Sequence, residues 1–522
     1  MSLNTESATL PMGWRRIQRI DAVPPAMVTA LAFVAFVLFW TLVNTISNGG
    51  AIDHDMTEAY VWGREFQLGY YKHPPFWAWL AGAWFDVLPH RAWAFAALSA
   101  LNAGVGLLGA WRLIGCFSHG EKRVAAILLL LLTPYYTYFA YRYNANTIFL
   151  SLWPWTALFF VRSIERGRTV DAVLFGALSA LDMLSKYYAI LLLAACLLAA
   201  CVHPRRRDYF RSALPYLSVA LCAVVLVPHL WWLDKTGFLP FHYFEAQSGR
   251  AWLFGLRQAI NGALEFAAFQ IPIIVLIFLS RWRSAEITPV QWRESRFAFL
   301  TVLCFAPLVL TLASSVVFRV ILTSGTGIGA FCLVPLFLIQ VSGIGSFRQL
   351  ERLIFWAVLA TSGAVVLLAP LLGYAHVSHP SGMMRSIPNP DEPSVELAET
   401  ATQLWHQKTG LPLRIVAGSI YHENPGAFYS DAYADMVAFY SDDRPSEFID
   451  FDFQRAPWIT KNRLEREGLL IVCPAGDLEC LKTSAAFADP ARDQVTLTLT
   501  HRVWHWQGAR ATFTLTFVPP RA

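Results

Sequence analysis

Charge is scarce in this sequence: Asp, Glu, Lys and Arg together make up 15% of its 522 residues. So little charge cannot clothe a water-facing surface over most of the length, which excludes a conventional soluble enzyme. No small-residue cleavage site follows the first apolar segment. The stretch carrying Arg15, Arg16 and Arg19 therefore leads into an uncleaved first span and not a signal peptide. Neither a lipidation motif nor an internal repeat is present. "PHLWWLDKTGFLPFHYFEAQSGR" carries His229, His242, Glu245 and Arg250 without a metal-ligand spacing, so no metal and no other cofactor is assigned. The net charge of +5 is dispersed in short clusters between apolar runs. That is the positive-inside pattern of membrane proteins, and it argues against a nucleic-acid partner.

Apolar runs are what the sequence has in abundance. Segments near the roughly 20 residues needed to cross a bilayer recur along the chain, and mean hydropathy is +0.43. The expected fold is a polytopic α-helical membrane protein of about eleven spans. These run over Met27–Thr45, Ala92–Ile114, Val124–Tyr141, Thr147–Arg162, Asp171–Leu184, Tyr188–Cys201, Ala213–Trp232, Ala259–Leu279, Phe297–Val317, Gly327–Gly345 and Leu353–Gly373. Asp171 to Cys201 is read as a hairpin turning at "LSKYY". Alternate threading then places every Lys/Arg cluster, from Lys122/Arg123 to Arg348/Arg352, on one side, the cytoplasmic one. Asp53 to His90 falls on the other side. Within it "PPFWAWLAGAWFDVL" is too short to span and rich in Trp, as befits a helix lying in the membrane interface.

From Pro380 a Pro- and Ser-rich linker opens a second domain. Residues 1–378 are expected to form the membrane domain and residues 379–522 a small soluble α/β domain. "SVELAETATQLWHQKTG" reads as a helix stopped at Gly410, "LRIVAG" and "LLIVCP" as buried strands, and "VTLTLTH" with "ATFTLTF" as an antiparallel pair. "VAGSIYHENPG" lacks a phosphate-loop pattern and is taken as acceptor-facing or structural. Cys473 and Cys480 lie on the outer side, where an oxidising compartment permits a disulfide.

Candidate chemistry gathers on the outer face. Asp55 and Glu58 are three apart in a helix over "DMTEAYVW" and share a face, as a general base and its orienter would; the alternative is that Asp55 caps that helix. Lys72, His73, Arg142, Lys186 and Arg319 are cationic candidates at or beyond span ends. They fit an anionic ligand such as a phosphate, or simple snorkelling of terminal Lys and Arg. "YRYNANT" crowds Tyr141, Arg142, Asn144 and Asn146 at one span end, a pattern that aromatic belts and loop asparagines explain without function.

An acidic residue in the first outer loop, the "GYYKHPP" turn entering an interfacial helix, an "LSKY" turn about 110 residues later and a soluble domain after the last span together resemble the GT-C membrane glycosyltransferases. The nearest families are the protein O-mannosyltransferases, the aminoarabinose transferases and the lipid A galacturonosyltransferases. The resemblance implies an inverting transferase that moves a sugar from a polyprenyl-phosphate donor to a periplasmic acceptor, lipid A or lipopolysaccharide core, in the bacterial inner membrane among its lipids. It implies that Asp55 is the catalytic aspartate with Glu58 beside it, and that Lys72, His73, Arg142 and Lys186 bind donor phosphate. Tyr71, Asn146, Tyr187, His242, Arg250 and Arg319 are then candidate substrate contacts. Asn146 stands where family members often carry a second acidic residue, which argues against an obligatory metal. The alternatives are a protein O-mannosyltransferase or, in a different class, a lipid-linked sugar transporter.

Overall fold

A computed structural model describes residues 25–282, 295–322, 325–344, 347–378, 393–418, 433–488 and 493–521. The N-terminal arginines, Arg283, Arg293, most of the 379–394 linker and residues 419–426 of "VAGSIYHENPG" lie outside them. The membrane domain comprises fifteen α-helices among the described residues. They are α1 (Pro25–Ser47), α2 (His54–Glu65), α3 (Phe76–Val87), α4 (Ala92–Ile114), α5 (Gly120–Leu130), α6 (Phe149–Arg166), α7 (Thr169–Met183), α8 (Ile190–Val202), α9 (Arg206–Arg211), α10 (Leu214–Lys235), α11 (Leu239–Gln247), α12 (Trp252–Trp282), α13 (Ser295–Phe318), α14 (Val334–Ser342) and α15 (Arg348–Ser378).

Each expected span is helical, but they are not eleven equal crossings. Among the described residues six helices (α1, α4, α10, α12, α13 and α15) are long and apolar enough to cross a membrane, or seven if α5 and the short turns that follow, bent by 66°, count as one span. The helices α6, α7 and α8 have 18, 15 and 13 residues. The chain breaks between the last two at the expected place, with Tyr187–Ala189 a single 3₁₀ turn, but they do not pair as a hairpin: α7 packs on α6 and α10, and α8 on α13. Of these α6 is internal: its Phe149, Trp153, Phe160 and Val161 are almost fully buried, whereas α7 and α8 each leave apolar side chains such as Val170 and Leu197 exposed.

Close backbone approach sets the packing at two crossings. A Cβ on Gly106 of α4 would lie 2.0 Å from the Leu150 carbonyl oxygen of α6. One on Gly63 of α2 would lie 2.0 Å from that of Ala78 in α3, with Gly82 opposite. The Trp-rich α3 therefore lies flat against α2, burying Trp77, Ala78, Ala81 and Phe85.

The C-terminal domain continues with α16 (Ser394–Thr409), α17 (Tyr433–Tyr440), α18 (Lys461–Glu467) and α19 (Leu478–Ser484) around a five-stranded sheet. Its strands are β1 (Ile415–Ala417), β2 (Ser446–Glu447), β3 (Leu469–Pro474), β4 (Gln494–Val503) and β5 (Trp506–Val518), in the order β2-β1-β3-β5-β4. The first three strands are parallel, while β5 is antiparallel to both its neighbours. The uninterrupted apolar run of β3 is buried on both faces, and the alternating β4 closes the edge. Gly410 ends α16 at φ 69°, as its position predicts. Cys473 and Cys480 are joined in a disulfide.

Candidate active site

The sequence Asp53-His54-Asp55 offers two carboxylates for one helix start, and the structure divides the work between them. Asp53 is the N-cap of α2, accepting the Asp55 N–H at 3.0 Å. Asp55 therefore does not cap the helix, and its side chain is available. It is half-buried, and its Oδ2 accepts a hydrogen bond from Asn144 Nδ2 at 2.8 Å. Burial and the adjacent Asp55 raise the Asp53 carboxyl to about 6 in spite of Arg142, whose Nε lies 3.3 Å from Asp53 Oδ2.

Asn144 is held by the loop it belongs to. Its Oδ1 accepts the N–H groups of Asn146 and Thr147, each at 2.9 Å, so the amide orientation is fixed and its NH₂ faces Asp55. The Thr147 carbonyl in turn accepts from Asn102 of α4 at 2.7 Å. Two residues along, Asn146 Oδ1 accepts Lys186 Nζ at 2.8 Å. The loop Asn144–Asn146 thus joins a carboxylate at one end to an ammonium at the other.

The expected cations differ in what they touch. Lys72 is buried with Glu58, Nζ to Oε1 at 2.6 Å. Burial pushes Glu58 up in spite of that partner. Glu58 is thus the counter-ion of Lys72 and not the orienter of Asp55 that its spacing suggests. Arg142 is committed to Asp53 and to the Tyr141 hydroxyl, 2.6 Å from its Nε. His73 does not supply charge: burial, then Lys186 and Lys72, hold its imidazole well below the usual range, so it can offer a ligand an N–H but no cation. Lys186 has no carboxylate within ion-pair reach among the described residues. Burial lowers it to about 8 against the pull of Asp55 and Glu58, which leaves it mostly protonated at neutral pH. Of the four candidates it is the cation most free to meet an anion.

Tyr187 and Tyr71 also fall here. The Tyr187 hydroxyl lies 2.9 Å from Nε2 of His229, whose Nδ1 is 2.7 Å from the Leu68 carbonyl oxygen, tying the "SKY" turn to the "GYY" loop. Phe76 N–H donates to the Leu184 carbonyl at 2.8 Å, a second tie between the same segments. Tyr71 meets Tyr243 of α11 edge-on, ring centroids 6.0 Å apart, and the guanidinium of Arg455 lies 5.0 Å from its ring. The remaining candidates stand elsewhere. His242 is exposed on α11, and Arg319 donates to the Arg250 carbonyl at 3.4 Å beside the start of α12. Sequence reasoning named Asn144 and His229 without giving either a role in the site, and missed Tyr243 and Arg455. The Asn-x-x-Thr turn around Asn144 is a readable local signal; the other three become neighbours only through the fold.

Known proteins can now be set beside this geometry. A family described as dolichyl-phosphate-mannose-protein mannosyltransferase matches residues 72–232, under a third of the chain. The crystal structure of ArnT from Cupriavidus metallidurans in the apo state is similar over 94% of this chain and 98% of its own, at 14% identity and a TM-score of 0.58. The same protein bound to undecaprenyl phosphate is similar over 93% and 97%, at 15% identity and a TM-score of 0.56. At 14–15% identity the likeness is one of fold, the GT-C fold. The likeness to ArnT runs through the C-terminal domain as well as the helices. No curated protein matches the chain significantly.

Proposed function

We propose that this GT-C protein is an inverting glycosyltransferase of the bacterial inner membrane. It takes its sugar from a polyprenyl-phosphate donor and delivers it to a lipid acceptor on the periplasmic face, lipid A or the lipopolysaccharide core. The observation that carries the proposal is the single loop that aims Asp55 at one end and holds Lys186 at the other. A sugar phosphate needs charge neutralised on its leaving group and a base for the incoming hydroxyl, on opposite sides of the anomeric carbon. Lys186 meets the phosphate oxygens, with His73 donating an N–H, and Asp55 takes the hydroxyl proton. As the acceptor oxygen bonds to the anomeric carbon, the carbon–oxygen bond to phosphate breaks, and polyprenyl phosphate leaves with the electron pair. The similarity to a protein crystallised with undecaprenyl phosphate supports the donor class.

Asp55→Asn tests this. The variant keeps an acceptor for Asn144 and should fold normally, yet transfer of sugar from a polyprenyl-phosphate donor in proteoliposomes should vanish. Near-normal turnover would refute the assignment. The description of the matched family favours a second acceptor class, protein hydroxyls. Mass spectrometry of glycolipids and of membrane proteins from a strain lacking the chain decides between them.

A further inference from the structure

The C-terminal domain reaches the start of α2 through one buried carboxylate. Asp435, in the first turn of α17, is 3% exposed. Its Oδ2 lies 3.1 Å from Nδ1 of His54 and accepts the Thr57 hydroxyl at 3.4 Å, across 378 residues of sequence. The two residues it touches flank Asp55. One helical turn further along α17, Phe439 enters a cluster of rings, with centroids 5.3 Å from Tyr60, 5.0 Å from Phe85 and 5.1 Å from Phe95. At the far end of α2, Arg64 donates to the Arg444 carbonyl and, at 2.8 Å, to that of Pro445. The helix that carries Asp55 is therefore gripped by the C-terminal domain at its start, along its face and at its end.

A buried carboxylate is costly unless paired, and Asp435 has partners on both sides: Glu447 of its own domain, and His54 with Thr57 of α2. Thr57 shares its one hydroxyl hydrogen between Asp435 and the His54 carbonyl, the latter at 2.9 Å. The turn 54–57 consequently cannot rotate about the helix axis without taking two of those partners from the buried carboxylate. We propose that Asp435 is a positioning residue for sugar transfer: through His54 and Thr57, the C-terminal domain sets the direction in which Asp55 points. This rests on the assignment of Asp55 as the base. The groups facing the contact are Glu58, Lys72 and Asp53 beside His54, and Glu447 hydrogen-bonded to Asp435. Burial disfavours charge on both partners; the Asp435 contact outweighs it at His54, held up at about 9, while hydrogen bonds with Glu447 and then His54 hold Asp435 below its usual range.

The test compares full-length Asp435→Ala, Asp435→Asn, His54→Ala, the double variant and Asp55→Asn in proteoliposomes, with folding monitored by hydrogen exchange of the C-terminal sheet. Asp435→Ala should lower kcat tenfold or more, toward the roughly hundredfold cost of a misplaced catalytic group, with donor KM within about twofold because Lys186 is untouched. Asp435→Asn, which keeps an acceptor for His54 and Thr57, should recover part of that loss. His54→Ala with Asp435→Ala should be no slower than the worse single variant, the mark of residues acting through one contact. If Asp435→Ala fails to fold, Asp435→Asn and His54→Ala carry the comparison: a lowered kcat at unchanged KM supports the proposal. Folded variants with wild-type kcat, or losses that multiply in the double variant, would overturn it. An active Asp55→Asn would instead overturn the function proposed above, so the two failures are distinguishable.

Discussion

Asn144 allows positioning of the base to be separated from construction of the loop. Asn144→Asp keeps Oδ1 as acceptor for the Asn146 and Thr147 N–H groups, so the loop survives. It replaces the donor that faces Asp55 at 2.8 Å with a second carboxylate. Two unit charges about 4 Å apart repel by on the order of 4 kcal/mol at an effective dielectric constant near 20. Asp55 is half-buried, so solvent screening reduces this to about 1–3 kcal/mol. At 1.36 kcal/mol per pH unit the acid limb of kcat/KM should move upward by about one to two units. The direction follows from the role: a base is lost below its pKa, and a like charge makes it harder to ionise. Asn144→Ala removes all three bonds, costing about 3 kcal/mol of stability at about 1 kcal/mol each. It should also slow transfer, and move the limb less than Asn144→Asp does, because a donor is lost but no like charge is added. The assay is a pH–rate profile in proteoliposomes with limiting donor, alongside denaturation midpoints in detergent. If Asn144→Asp had wild-type kcat/KM and an unmoved acid limb, Asp55 would not be the group that titrates.

Three further outcomes follow from the same geometry. Lys186→Ala should lower kcat/KM for the donor by roughly 10- to 150-fold, the 1.5–3 kcal/mol of a hydrogen bond to a charged group, and weaken binding of free polyprenyl phosphate in parallel; unchanged binding would remove Lys186 from the phosphate site. Glu58→Gln leaves the Lys72 ammonium buried without a counter-charge and should cost about 3 kcal/mol or more in detergent unfolding. If stability stays within about 0.5 kcal/mol, the pair is not desolvated as described. His54 is raised to about 9, so the stabilisation it lends the α2–α17 contact is fully present below its ordinary value near 6.5 and lost as pH rises through 9. Hydrogen-exchange protection of α2 should fall over that window, and should not do so in His54→Ala.

How far the sequence reveals this protein depends on how local each feature is. The strand pair β4–β5, the buried β3, the stop at Gly410 and the turn at "LSKYY" are written in alternation, apolar runs and a left-handed glycine, all of which act within a few residues. The number of crossings is less legible, because a short apolar helix, whether buried like α6 or half-exposed like α7 and α8, has the same composition as part of a span. Within "DHD" the choice of cap and base needs the backbone of one turn, which composition does not supply. The phosphate candidates were chosen for charge, yet charge is altered by neighbours: Lys72 and Arg142 have carboxylate partners, and His73 sits beside two lysines. Asp435 was beyond reach, since nothing within its own segment indicates the histidine it meets across the fold.

One consequence of the Asn144–Asn146 loop concerns how such an enzyme can change its substrate. In the reaction proposed above, the group that receives the proton and the group that steadies the departing oxygen hang from the same three-residue bracket, so the span between nucleophile and leaving group is ruled by a single short piece of backbone. Lengthening it to admit a bulkier sugar would shift both ends at once. A new specificity is therefore easier to build outside the bracket than in the bracket itself.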